Sequence, residues 1–300
     1  MTKSSHFRTT LVATAALLAA GGAQAASVPP TVLYNFPGRN VGYGPAGVTQ
    51  AGGLLYGTLA FGGAANSGSV YSLNPATNAV TVLYGFGAAG SGDGAYPAFP
   101  PVVLNGVLYG TTQSGGSAGM GSVFAIDLST NTETFLTSFL GGTHGWAPQN
   151  LVALNGTLYG TTLVGGTLGV GTLFSINPTT GAKTILYNFL GGADGSNPGN
   201  LAVLNGTLYG TTVNASSVFQ FNTATNTKTI IYSFPQAGAA PSGPPLIVGT
   251  MLYGVTSSGF ITAVPGAPGG FTQAGIFNNA GVMEYTNSLL FPHSGYVPLP

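Results

Sequence analysis

Apolar residues along this chain come in short runs mixed with threonine, serine and tyrosine, and each run is cut by glycine, asparagine or proline. After the first 25 residues no stretch shows the three-to-four-residue spacing of an amphipathic helix, so the pattern predicts strands and turns with essentially no helix. The pattern also repeats. Leu-Tyr-Gly recurs at Leu55, Leu108, Leu158, Leu208 and Leu252, at spacings of 53, 50, 50 and 44. A second phrase, Thr-Val-Leu-Tyr-Asn-Phe ending at Phe36, returns half a period away at Thr81 to Phe86, Thr184 to Phe189 and Thr229 to Phe234, and with only its ends kept at Thr134 to Phe139. A sixth, worn Leu-Tyr-Gly reads at Leu290, Phe291, Pro292.

One repeat, from Asn150 to Phe189, resolves into four strands. Leu151 to Leu154 is an apolar run, and Asn155-Gly156 is a two-residue hairpin turn whose central positions both need positive φ. Thr157 to Leu163 is the second strand. Tyr159 shares a face with Thr157 and Thr161, and Gly160 leaves the other face open to a close neighbour. Val164 to Gly171 is a glycine-rich loop, Thr172 to Asn177 the third strand, Pro178 to Gly181 a turn, and Lys183 to Phe189 the fourth strand.

Four-stranded units of about 50 residues in tandem are the pattern of β-propeller blades. The fold class expected is therefore all-β, a β-propeller of about six four-stranded blades. The N-terminal strand Thr31 to Phe36 would close it by joining the last strands, Val282 to Tyr285, Leu289 to His293 and Tyr296 to Leu299. A five- or seven-bladed ring and a β-solenoid are the alternatives.

The ends and the composition supply the address. Lys3 and Arg8, the apolar run Leu11 to Ala20 and the triplet Ala23-Gln24-Ala25 form a secretory signal peptide, cleaved after Ala25. Residues 26–300 are then a single tandem-repeat domain, secreted to the extracellular space or the periplasm. No later run is long enough to span a membrane. Only 3% of residues are charged, and the 275-residue mature chain keeps 3 basic and 5 acidic groups, for a net charge of −2. Blades that pack on both faces explain that scarcity. So little basic charge excludes nucleic acid as a partner, and the absence of cysteine excludes thiol catalysis, disulfides and Cys-based zinc sites.

Candidate chemistry is thin. Asp93-Gly94 and Asp194-Gly195 occupy equivalent repeat positions, with His144-Gly145 between them; an Asp before Gly bends and caps a turn more often than it binds. No metal site is expected: calcium needs several convergent oxygens, and His144 and His293 are isolated. No cofactor is implied. The glycine runs at Gly115, Gly116, Gly119 and Gly121 and at Gly165, Gly166, Gly169 and Gly171 open no helix and carry no lysine, so they are loops and not phosphate cradles. The five carboxylates, Asp93, Asp127, Glu133, Asp194 and Glu284, are scattered. Asp127 and Glu133 flank a tight turn at the end of the blade opposite Asp93 and Asp194, so no acid–base pair is expected. The long loops, which carry Tyr43, Phe61, Asp93, Tyr96, His144, Trp146, Asp194 and Asn197, gather on one face. Any ligand is expected there, near Trp146, His144, Asp93, Tyr96 and Asp194.

The phrase Leu158 to Phe174, Leu-Tyr-Gly-Thr-Thr-x-x-Gly-Gly-x-x-Gly-x-Gly-Thr-Leu-Phe, followed by Thr184 to Phe189 and Gly191 to Pro198, resembles the GloVer tandem repeat of "choice-of-anchor" bacterial exported proteins. The resemblance covers nearly all of the mature chain. It fades in the fifth copy from Leu246, which lacks most loop glycines and the Asp-Gly. It implies export and a C-terminal sorting signal, of which Val297-Pro298-Leu299-Pro300 resembles only the start, and it brings no catalytic residue. The expected function is that of a monomeric, non-enzymatic exported protein that binds carbohydrate or cell-surface and matrix components, or serves as a structural component of the surface or matrix. The alternative is a propeller-fold hydrolase or lyase acting on an extracellular polysaccharide.

Overall fold

Glycine-rich loops and Asn-Gly turns leave this chain little choice but antiparallel sheet. The computed structural model describes residues 10–12, 32–38, 41–87, 92–233, 241–248, 251–256, 260–265 and 272–276. These contain five four-stranded antiparallel sheets. The first is built from Tyr43–Ala51, Leu54–Phe61, Ser69–Asn74 and Ala79–Gly85, and the second from Val102–Leu104, Val107–Thr112, Ser122–Asp127 and Thr132–Ser138. The third comprises Trp146–Leu154, Thr157–Val164, Thr172–Ile176 and Lys183–Asn188. The fourth comprises Ser196–Leu204, Thr207–Asn214, Ser217–Asn222 and Thr227–Ser233, and the fifth Pro241–Val248, Met251–Thr256, Phe260–Pro265 and Thr272–Ile276. In each sheet the four strands pair in chain order, as a blade requires. The chain divides into two compact units, Met1–Ser138 and Phe139–Pro300.

The turns obey the residues that make them. Asn105-Gly106, Asn155-Gly156 and Asn205-Gly206 all have positive φ at both positions, between 50° and 79°. At the other hairpin of each of the first four sheets, Asn74, Asp127, Asn177 and Asn222 accept backbone N–H bonds from residues two positions on, at 2.8–2.9 Å. Asp127 is therefore the acidic member of a structural series. The first strands of the third and fourth sheets begin earlier than the apolar run suggests, at Trp146 and Ser196, and pass through a bulge between Pro148 and Leu151 and between Pro198 and Leu201. Among the described residues two short 3-10 turns, Gly142–His144 and Gly192–Asp194, are the helical exceptions to the all-strand expectation.

Leu-Tyr-Gly has a packing cause. In the first four sheets its glycine pairs across the sheet with an aromatic on the third strand: Gly57 with Tyr71, Gly110 with Phe124, Gly160 with Phe174, and Gly210 with Phe219, whereas in the fifth Gly254 pairs with Thr262. A Cβ on any of the four would stand 2.3–2.6 Å from that side chain. The aromatic lies where the glycine has no side chain, and each of the four rings is buried.

Tyr71 is the odd member of this series, since its hydroxyl is buried with no hydrogen-bond partner and burial pushes its pKa up to about 12. Tyr71→Phe, which copies the other three sheets, is expected to stabilise the protein by about 1 kcal/mol, because an unsatisfied buried hydroxyl costs about 1–3 kcal/mol. A urea midpoint lowered by this substitution would contradict that reading.

The N-terminal strand Val32–Asn35 pairs with Thr10–Val12, inside the segment expected to be a signal peptide. Leu33, Tyr34 and Phe36 pack on the first sheet's core of Leu59, Tyr71 and Leu73. The C-terminal strands expected over 282–299, and the closure of a sixth blade that they would make, lie outside the described residues. No helix among the described residues is long and apolar enough to cross a membrane.

Candidate functional site

Each of the first four sheets carries the same ring frame beside its fourth strand. The phenylalanine that precedes the sheet lies edge-on to the third-strand aromatic. Centroids are 4.9 Å apart for Phe36–Tyr71, 5.1 Å for Phe86–Phe124, 5.1 Å for Phe139–Phe174 and 5.4 Å for Phe189–Phe219. In three frames a tyrosine two residues earlier stacks edge-on to that phenylalanine: Tyr34, Tyr84 and Tyr187.

The fourth-strand residue beside the frame, set by register, differs in charge from sheet to sheet. Val80 pairs with Leu73, Glu133 with Ile126, Lys183 with Ile176 and Lys228 with Phe221. Val80 packs into the first sheet's apolar core. Lys183 places its Nζ 3.7 Å from the centre of the Phe139 ring, and burial pulls its pKa down to about 8. The Lys228 side chain is only 2% exposed; its Nζ lies 4.7 Å from the Phe189 ring, 5.1 Å from Tyr187 and 5.7 Å from Phe219. It also donates to the Asp194 carbonyl and forms an ion pair with Asp194 Oδ1 at 2.7 Å. Two of the frames thus hold an internal ammonium.

The loop acids fold their own loops. Asp93 Oδ2 accepts from Gly87 N at 2.7 Å and Tyr84 Oη at 3.1 Å, and its Oδ1 accepts from Gly94 N at 2.7 Å. Asp194 accepts from Tyr187 Oη at 2.8 Å and Leu190 N at 2.9 Å. Burial works to raise the pKa of Asp194, but the bonds from Lys228, Leu190 and Tyr187 outweigh it and hold the group below the usual carboxylate range. For Lys228 burial wins and lowers the pKa, opposed by Asp194. At 2.7 Å the two groups form an ion pair, each stabilising the other's charged form.

The expected ligand residues divide between the two units. In Met1–Ser138, Tyr96 is 40% exposed and lies edge-on to Phe61 at 4.5 Å, and Phe61 stacks on Tyr43 at 5.1 Å. These three rings form an aromatic row. In Phe139–Pro300, His144 is exposed at the end of its 3-10 turn. Trp146, 39% exposed, sits not on a loop but at the head of a strand, paired with Val164. Asn197 likewise lies within a first strand and donates to the Leu163 carbonyl.

Glu133 corrects the sequence expectation. Instead of standing apart from Asp93 at the far end of the blade, it lines one cavity of about 240 Å³ with Asp93, Tyr84, Gly92, Ser117 and Phe135. Its position along the strand is as expected, but the direction of its side chain is not. Residues at this register reach back across the blade face toward the loop that precedes it, as Lys228 does toward Asp194. Burial first, and then the charge of Asp93, push the Glu133 carboxyl up to about 7.

The pH dependence follows from that shift. A raised carboxyl stabilises the fold below its ordinary pKa of 4.5, and that contribution is lost as pH rises toward about 7. Glu133 is half-buried, so after solvent screening the loss is on the order of 1 kcal/mol. Urea unfolding at pH 5 and pH 8 should show it in the native protein and not in Glu133→Gln; equal pH dependence in both would contradict the assignment.

One polar link has no counterpart among the sequence expectations. Asn150 donates through Nδ2 to the Leu201 carbonyl at 2.9 Å and accepts from Leu201 N at 2.7 Å, while Asn200 Oδ1 accepts from Asn150 N at 3.2 Å. The buried pair ties the third sheet to the fourth. Its signal was Pro148-x-Asn150 and Pro198-x-Asn200 at one repeat spacing.

Among the described residues no group of three or more His, Asp or Glu is placed to hold a metal. No curated protein matches the chain by sequence. Among solved structures, the nidogen/laminin complex matches with a TM-score of 0.56 at 13% identity, covering 79% of this chain and 80% of that one. A computationally designed protein, Ika8, matches with a TM-score of 0.51 at 12% identity over 76% of this chain, which spans 60% of the designed one. At such identities the likeness is one of fold, and the blade-like sheets match the β-propeller of nidogen. The family model of the Gloeobacter/Verrucomicrobia repeat matches residues 23–217, and the chain belongs to that family.

Proposed function

We propose that this protein is an exported, non-enzymatic repeat protein that binds neutral carbohydrate or matrix components through aromatic surface on its loop-bearing side. The observation that carries this reading is the row Tyr43, Phe61 and Tyr96, with Tyr96 40% exposed at its outer end. Partly exposed rings backed by other rings are rigid and amphipathic, which suits stacking on a sugar. Trp146, 39% exposed, offers a second such surface. With 3% charged residues, contacts of this kind rest on stacking and neutral hydrogen bonds, so affinity is expected to respond little to salt. The remaining features proposed are cleavage near Ala25, a six-bladed ring and a monomeric mature chain.

The test is a glycan array probed with the mature protein, with Tyr96→Ala and Trp146→Ala alongside. Loss of a glycan signal in either variant supports the reading, and unchanged binding in both sinks it. One observation favours the second reading, a polysaccharide hydrolase or lyase: Glu133, pushed up to about 7, shares a cavity with Asp93, and general acids are tuned to that range. Against it, both Asp93 oxygens already accept hydrogen bonds, three in all, from Tyr84, Gly87 and Gly94. Turnover on a polysaccharide panel that Glu133→Gln abolishes would establish the enzyme.

A further inference from the structure

We infer that the cavity lined by Asp93, Glu133, Tyr84 and Phe135 binds the ammonium group of a small organic amine. Such a site goes beyond carbohydrate binding at the aromatic row and uses different side chains. The repeats within the chain supply the comparison. In the fourth sheet's frame a lysine ammonium is held by Asp194 Oδ1 at 2.7 Å and by the rings of Tyr187, Phe189 and Phe219. In the third, Lys183 Nζ lies 3.7 Å from the Phe139 ring. The second sheet's frame keeps the acid and the three rings of the fourth sheet's arrangement, with Ile126 in place of Phe221. Asp93 stands for Asp194 and bonds Tyr84 as Asp194 bonds Tyr187. Tyr84, Phe86 and Phe124 follow one another edge-on as Tyr187, Phe189 and Phe219 do.

The cation itself is exchanged. Glu133 occupies the lysine's register, so a site that elsewhere receives an ammonium from within the chain here presents a second carboxylate. Beside the rings, Glu133 and Asp93 line a cavity of about 240 Å³, large enough for a small amine, with Tyr84 and Phe135 as its aromatic walls. Its wall Phe135 is exposed, apolar surface that an alkyl stem would cover. A divalent metal fits less well: it asks for six or more oxygens, and the Asp93 oxygens are engaged by Gly87, Gly94 and Tyr84. An ammonium needs only a charge partner and ring faces. The titratable groups facing Glu133 are Asp93 and Tyr84. Tyr84 is pushed up by burial, Glu133 and Asp93 and stays neutral, so binding should weaken as pH falls and Glu133 takes up a proton.

The experiment titrates n-butylammonium, a mimic of the lysine end, into the mature protein by calorimetry and by NMR at pH 8, with n-butanol as the neutral control. Saturable 1:1 binding is expected, at least tenfold weaker in Glu133→Lys, where the chain supplies its own ammonium, and weaker in Glu133→Gln, which preserves shape. D-glucosamine is titrated in parallel: binding as tight as n-butylammonium assigns the amine to an amino sugar, and markedly weaker binding assigns it to an alkyl amine. Equal affinity for n-butanol, equal affinity in all three proteins, or displacement of n-butylammonium by calcium would overturn the proposal.

Discussion

Gly160→Ala is expected to destabilise the protein by about 2–3 kcal/mol, the range of core overpacking. The added Cβ would stand 2.6 Å from Phe174 Cζ, 3.0 Å from Leu151 Cδ2 and 3.1 Å from the Asn150 carbonyl oxygen. None of these can give way cheaply. Phe174 is fully buried and held edge-on by Phe139, and Asn150 is fixed to Leu201. Gly160 is not among the glycines with positive φ, so the cost is collision and not backbone strain. Alanine should recover part of it, since losing a glycine reduces unfolded-state entropy by about 0.4–1 kcal/mol. Gly85→Ala is the control: its Cβ meets nothing within 4 Å, so a neutral or slightly stabilising result is expected. Urea unfolding of the two variants decides it. Similar small effects from both would mean that ring packing is not what requires the glycine of Leu-Tyr-Gly.

Removing the Lys228 charge should cost more. Lys228→Met preserves much of the stem's length, but it leaves Asp194 without its ion partner and the three rings without their cation. Breaking a buried pair from one side costs about 3–5 kcal/mol, because the surviving charge stays desolvated. Asp194 is 20% exposed and keeps its bonds from Tyr187 and Leu190, which places the expectation near the low end, about 3 kcal/mol. The sign with pH is set by the carboxylate. Asp194 is held below its ordinary pKa of 3.8, so its contribution is present above that value and lost as pH falls through the lower folded one. Native and Lys228→Met stabilities should therefore converge under acid. A double variant, Lys228→Met with Asp194→Asn, should regain stability relative to Lys228→Met alone. A Lys228→Met protein as stable as the native one would show the pair to be a surface contact.

The repeat, the strands and the turns are legible in the sequence because each is a local decision. Asn-Gly demands a primed turn wherever it falls, and Gly160 signals a close approach even before Phe174 can be named as the neighbour. Asp93 and Asp194 read as turn formers, and both are bonded within their loops. What stays hidden is everything decided between one blade's fourth strand and the loop before it. The strand end that Glu133 occupies is readable, whereas its neighbours depend on the face its side chain takes. The series Val80, Glu133, Lys183 and Lys228 is present at the repeat spacing. It acquires meaning only once Phe86, Phe139 and Phe189 are seen to form one wall of each frame. Trp146 reads as a loop residue because only the apolar half of the first strand declares itself; the bulge after Pro148 lets the strand continue through polar residues.

A ring frame thus recurs in the first four sheets, and its fourth-strand residue decides whether the chain places an alkyl group, a carboxylate or an ammonium beside it. The melting temperature of Glu133→Lys at pH 8 tests that equivalence most directly. If the second frame is the same cage, the introduced ammonium will pair with Asp93 as Lys228 pairs with Asp194, relieve the repulsion between two carboxylates, and raise the melting temperature above that of the native protein. A variant that melts below the native protein would contradict the equivalence of the frames.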